Sequence, residues 1–200
     1  MRRSNRLPVR QRLTSFGRTL MTFAAASLPL AGCAHTSDGS TLAAFEANLA
    51  GHASATEALQ RWCDARAIAP GATIRVRFVR GADAAAPADM RSVLDAGPDE
   101  PIGYRHVQLM CGDTVLSDAH NWFVPARLTP EMNRELAETE VPFGRIAASL
   151  QFTREPLSAA RQGDPTCPAG VISTHRARLM LPDGRPLAYV QECYSAANIG

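Results

Sequence analysis

From Tyr104 to Cys111 apolar and polar residues alternate, which predicts a half-buried strand with Val107, Leu109 and Cys111 on its inward face, and Arg105 falls on that same face. The alternation returns from Leu187 to Tyr194, where Glu192 shares its face with Ala188 and Val190. Two charges thus stand where the pattern asks for apolar side chains. Taking an ion out of water costs several kcal/mol unless it is paired or holds something charged. Arg105 and Glu192 therefore either bond each other, in the core or at its edge, or line a polar pocket inside an apolar shell.

The remaining pattern supplies the frame. Leu42, Phe45 and Leu49 form the apolar stripe of a first helix, interrupted at Gly51. Ser54 with Glu57 three residues on is a capping-box pattern that opens a second helix to about Ala67, with Leu59, Trp62 and Cys63 as its buried side and Pro70-Gly71 beyond its end. Ile74, Val76 and Phe78 alternate with Arg75, Arg77 and Val79 as a strand. The segment 81–101, rich in Ala, Asp and Pro, reads as a loop with a helical turn over 90–94, and a loop of that length is often a lid. The strands 104–111 and 114–124 form a hairpin about Gly112 and Asp113. Thr129 and Pro130 start a helix to about Ala137, and Pro142, Phe143 and Gly144 precede a helical stretch over 145–150. A second irregular loop spans 155–170, and the hairpin 171–181/187–194 about Asp183 and Gly184 closes the chain. There is no internal repeat and no glycine-rich phosphate loop. Hairpins with grouped helices predict an α+β domain, an antiparallel β-sheet with helices packed on one face.

The first 32 residues change the picture. Arg2, Arg3, Arg6, Arg10, Arg12 and Arg18 precede the uncharged stretch 19–32, too short to span a membrane and suited to a signal-peptide core. Leu30-Ala31-Gly32-Cys33 resembles the lipobox of bacterial lipoproteins, which implies cleavage before a lipidated Cys33, export, and a lipid anchor in the envelope. Ala34 rather than an aspartate after the cysteine points to the outer membrane, facing the periplasm. The expected organisation is a signal peptide over 1–32, a short polar tether over 33–40 and one domain over 41–200. Six of the 21 basic residues, all arginine, lie in the leader, which leaves 15 against 19 acidic residues, a formal charge of −4. A mildly acidic body without a basic run gives no case for nucleic-acid binding, so contact with the membrane comes from lipid alone.

The 168 residues that follow the leader are enough for one core. Besides Cys33 they hold Cys63, Cys111, Cys167 and Cys193, which form two disulfides in one of three connectivities or remain as four buried thiols. No two are spaced as in a CxxC zinc or redox site, and neither a metal nor a cofactor is expected.

The order of several short motifs is similar to that of the chorismate lyase family and its relatives, which include ligand-sensing domains attached to bacterial repressors. These motifs are Arg105-His-Val-Gln-Leu109, Trp122-Phe-Val-Pro125, Val141-Pro-Phe-Gly-Arg145, Asp183-Gly-Arg-Pro-Leu187 and Glu192, covering about half of the chain beyond the leader. The resemblance implies an antiparallel sheet closed over a buried small aromatic carboxylate. Arg105 would grip the carboxylate, Asn121 and Gly144 would line the ligand site, and Glu192 would face a ligand oxygen. In a lyase, Arg105 and Glu192 would be catalytic: a Glu192 kept protonated by its apolar wall would donate to the ether oxygen of chorismate as pyruvate leaves, giving 4-hydroxybenzoate. Two departures count against a simple transfer. Asn121 stands where these lyases carry a second arginine, with His120, Arg176 or Arg178 as weak substitutes, and the step from Pro186 to Glu192 is one residue longer, which a bulge or looser turn must absorb. Chorismate lyase activity, a non-catalytic ligand-binding lipoprotein and a structural envelope protein all remain open at this point.

Overall fold

A computed structural model describes residues 37–79, 86–161 and 165–200. Helices α1 (Ser37–Ala50) and α2 (Ala55–Ala65) lead into strand β1 (Arg75–Phe78) and the short helix α3 (Met90–Val93). The hairpin β2 (Gly103–Cys111)/β3 (Thr114–Phe123) follows, then α4 (Pro130–Glu138) and α5 (Phe143–Ile146). Strands β4 (Thr153–Ala160), β5 (Val171–Met180) and β6 (Pro186–Ser195) complete one antiparallel sheet in the order β1-β2-β3-β6-β5-β4.

The predicted local signals act where they were read. Ser54 Oγ accepts from the Glu57 amide at the start of α2, and Thr129 Oγ1 accepts from the Met132 amide at the start of α4. Gly112 turns the β2/β3 hairpin at φ 57°, a left-handed conformation that favours glycine. The inward face of the sheet carries Val107, Leu109, Ala119 and Tyr194 against Phe45, Leu59 and Trp62 of α1 and α2. Further along, Phe123, Leu179, Ala188 and Val190 pack on Leu136, Phe143 and Ile146 of α4 and α5. The helices thus cover one face; on the other side Met90 and Leu94 cap the corner around Trp122 and Tyr189, and the segment before β5 covers Gln191 and Cys193 of β6.

Three expectations need correction. The irregular loop placed over 155–170 begins as a strand: β4 pairs with β5 from Thr153 to Ala160. Pro156 hid it, because proline argues against a strand except at an edge or bulge, and β4 is both the last strand of the sheet and bulged between Pro156 and Ser158. The described part of the 81–101 loop does not act as a lid over the pocket described below, since α3 packs on Trp122, Val124 and Tyr189; residues 80–85 lie outside the described residues. Finally, α1 starts at Ser37, inside the span read as a tether. The leader and Cys33 lie outside the described residues.

Both disulfides form, as Cys63–Cys111 and Cys167–Cys193. The first ties α2 to the end of β2, and the second ties the segment before β5 to β6. Replacing Cys63 and Cys111 together by serine is expected to lower stability by about 2 to 4 kcal/mol in a urea titration. Thiol titration of the denatured, unreduced parent should find none of the four sulfurs free.

Candidate functional site

The β2/β3/β6 register builds a pocket between the sheet and the N-terminal end of α2. Arg105 stands opposite Asn121 on β3, and Glu192 on β6 lies between Ala119 and His175 of its two neighbours. The pocket has a cavity volume of about 50 Å³. Its walls are apolar, with Val76, Val107, Leu109, Phe143, Leu179 and Val190, and all four residues expected at a ligand site, Arg105, Asn121, Gly144 and Glu192, line it. The backbone amides of the first turn of α2, at Ala55 and Thr56, lie at one end, where a helix terminus favours negative charge.

Arg105 and Glu192 share the pocket but do not pair. Glu192 is 5% exposed, and Arg154 of β4 holds it through two N–H groups at 3.3 and 2.5 Å, while the Tyr194 hydroxyl donates to it at 2.9 Å. Burial by itself would lower the Arg154 pKa, but the Glu192 carboxylate raises it above its ordinary value. Burial likewise pushes the Tyr194 hydroxyl well above the usual tyrosine range, and the neighbouring carboxylate adds to it. Three donors converge on Glu192, two from Arg154 and one from Tyr194. Glu192, expected as a protonated donor to a ligand oxygen, lines the pocket with its carboxyl group engaged by Arg154 and Tyr194.

Arg105 is different. It is 7% exposed, and the one side-chain hydrogen bond it makes among the described residues is a long one of 3.5 Å to the Thr139 carbonyl oxygen. Its guanidinium lies 5.0 Å from the centre of the Phe78 ring, and no carboxylate among the described residues reaches it. Burial holds its pKa down to about 10. Such a drop amounts to on the order of 3 kcal/mol against the charged form. Arg105 Nε and Asn121 Oδ1 are both buried without a hydrogen-bond partner, on directly opposed residues of one pocket wall. A donor bearing positive charge and an adjacent acceptor are thus presented to whatever enters.

Gly144 contributes by its lack of a side chain. A Cβ there would stand 2.9 Å from Ser54 Cβ and 3.1 Å from Thr56 Oγ1, so glycine lets α5 close against the start of α2. Gly144→Ala is expected to push these helices apart at a cost of about 1 to 3 kcal/mol, seen as a lower urea midpoint together with weaker ligand binding.

Arg154 is the site residue that sequence reasoning missed, because it stands just before the irregular loop expected over 155–170, where the pattern predicts no strand. Its signal was the i, i+2 relation to Phe152, which is buried at the same end of β4. Of the substitutes considered for the absent second arginine, Arg176 donates to Gln191 and Arg178 to Glu155, while His120 bonds the Tyr104 hydroxyl. The additional residue before Glu192 coincides with a register shift between Leu179 and Met180, where Met180 meets Pro186.

No family model matches the chain. Over 173 residues it is 43% identical to the uncharacterized protein y4mC of Sinorhizobium fredii, covering 77% of this chain and 73% of that one. The chain belongs to the y4mC family. Among solved structures, PhnF from Mycobacterium smegmatis matches with TM-score 0.52 and 15% identity over 74% of this chain and 66% of that one. The effector domain of PhnF matches with TM-score 0.51 and 15% identity, over 72% of this chain and 89% of that domain. The chain thus spans just under two thirds of full-length PhnF. The likeness fixes the fold of this y4mC relative: it is the chorismate lyase-like α+β fold found in GntR-family effector domains.

Proposed function

We propose that this protein is a non-catalytic binding protein of the bacterial envelope, whose pocket takes a small aromatic carboxylate on Arg105. The observation that carries this reading is the buried, unpaired Arg105 cation in an apolar pocket. An arginine can grip a carboxylate through two parallel hydrogen bonds, and the apolar walls suit a ring. Asn121 Oδ1 would accept from a hydroxyl or other donor on the ligand. Chorismate cleavage is the less favoured reading because Glu192, the group that would supply the proton, is engaged by Arg154 and Tyr194.

Attachment to the envelope through a lipidated Cys33 is part of the proposal and rests on the arginine-rich leader and the Leu30-Ala31-Gly32-Cys33 tetrad. The two disulfides support a compartment in which thiols oxidise. The test incubates the purified protein with 4-hydroxybenzoate and, separately, with chorismate. Saturable binding of 4-hydroxybenzoate without pyruvate release supports the binding protein; pyruvate release that disappears in Glu192→Gln would replace it with the lyase. Mass spectrometry of the mature N-terminus tests the anchor, which fails if Cys33 carries no acyl chains.

A further inference from the structure

The opposite face of the sheet holds a second cluster, one member of which, His120, also contributes to the lining of the pocket. The β2/β3 register sets His106 directly across from His120 and Gln108 directly across from Asp118. The alternation that turns Arg105 and Asn121 inward turns these four side chains the other way. The two imidazole rings stack, with centroids 4.1 Å apart and planes 20° from parallel. Both point a nitrogen at one oxygen: Asp118 Oδ1 lies 2.7 Å from His106 Nε2 and 3.9 Å from His120 Nε2. One ligand atom from each of the three residues lies within 4.8 Å of the other two.

From this geometry we propose that His106, Asp118 and His120 form a binding site for a first-row divalent transition metal of the zinc class. Ligand bonds of about 2.0 to 2.2 Å in a tetrahedral site place donor atoms about 3.3 Å apart; the separations of 2.7 and 3.9 Å lie on either side of that value, and the two imidazoles must turn out of their near-parallel stack for both Nε2 lone pairs to meet one ion. Two of the three ligands have outer partners. The Tyr104 hydroxyl bonds His120 Nδ1 at 2.8 Å, which fixes the ring and leaves Nε2 for an ion, and Gln108 Nε2 donates to Asp118 Oδ2 at 3.2 Å, so that Oδ1 faces the imidazoles; His106 Nδ1 is buried without a hydrogen-bond partner. Trp122 stacks on the other side of His120, with ring planes 17° apart. Among the described residues no arginine is paired with Asp118. Two imidazoles and one carboxylate favour Zn²⁺, Co²⁺, Ni²⁺ or Cu²⁺ over Mg²⁺ or Ca²⁺, and three protein ligands leave a coordination position for water or an anion. The cysteine spacings that spoke against a metal could not reveal this site, because its ligands are joined by strand register and not by a sequence motif.

The test uses the untagged protein, stripped with a chelator and titrated with Zn²⁺ by calorimetry, alongside electron paramagnetic resonance of the protein with one equivalent of Cu²⁺. One saturable Zn²⁺ site per chain is expected, together with a Cu²⁺ spectrum showing two imidazole nitrogens. His106→Gln and His120→Gln should each abolish the calorimetric site. His35→Gln and His52→Gln should leave it intact, and Tyr104→Phe should weaken it about ten- to a hundredfold. Absence of saturable Zn²⁺ binding overturns the proposal, as does a site that survives both His106→Gln and His120→Gln or that is lost with His35 or His52. If either glutamine variant fails to fold, the Cu²⁺ spectrum of the parent decides, and fewer than two nitrogens counts against the site.

Discussion

Arg105→Met is expected to abolish binding of 4-hydroxybenzoate while leaving the empty protein at least as stable as the parent. A hydrogen bond to a charged group contributes roughly 1.5 to 3 kcal/mol, so losing the clamp should weaken binding by about tenfold to more than a hundredfold. The effect on folding runs the other way. In the empty protein the guanidinium is buried with only the distant Thr139 carbonyl oxygen and the Phe78 ring beside it, and burial pulls its pKa down to about 10. For a base whose pKa is lower in the folded state, the unfolded chain binds the proton more tightly across that window. The parent should therefore gain stability as pH rises above about 10 toward the ordinary arginine range, and Arg105→Met should lose that slope. Methionine fills similar space without charge and should raise the urea midpoint at neutral pH by about 1 to 3 kcal/mol equivalent. Calorimetry and urea titration on the two proteins measure both halves. A variant that is several kcal/mol less stable, from a parent that binds no aromatic acid, would show that Arg105 is a structural residue.

Which parts were legible in the sequence follows from what each signal depends on. Period-two alternation placed Arg105 and Glu192 on inward faces, because alternation is a property of the strand itself and needs no knowledge of its partners. Capping at Ser54 and Thr129 and the turn at Gly112 are equally local, and they hold. The identity of Glu192's partner is not local. It depends on β4, an edge strand whose exposed, proline-containing sequence carries a weak pattern, and on the register that brings Arg154 across the sheet to a residue 38 positions away. The same limit hid the juxtaposition of His106, Asp118 and His120, since each is an ordinary outward strand residue until β2 and β3 are paired. The motif order, in contrast, pointed to the right fold because it samples strand ends and turns along the second half of the chain, which are the features that a shared topology fixes.

Arg154→Ala is expected to be among the most damaging single changes in the domain, at about 3 to 5 kcal/mol, because it strands the Glu192 carboxylate in an apolar wall with only the Tyr194 hydroxyl for a partner. Glu192→Leu should cost a similar amount by leaving the Arg154 guanidinium buried and alone. The double change Arg154→Met with Glu192→Leu removes both charges at once, and most of the loss should return, so the cycle of four proteins should show a large coupling between the two sites. Tyr194→Phe, which deletes one neutral donor, should cost only about 0.5 to 1.5 kcal/mol. Denaturant midpoints with all disulfides intact measure each corner. Strong coupling fixes Glu192 as a structural anion whose charge is balanced within the fold, which leaves Arg105 as the cation of the pocket still without a counter-charge among the described residues. If Arg154→Ala instead leaves the midpoint unchanged, Glu192 does not depend on its arginine and is available as an acid, and the lyase reading of the pocket becomes the stronger one.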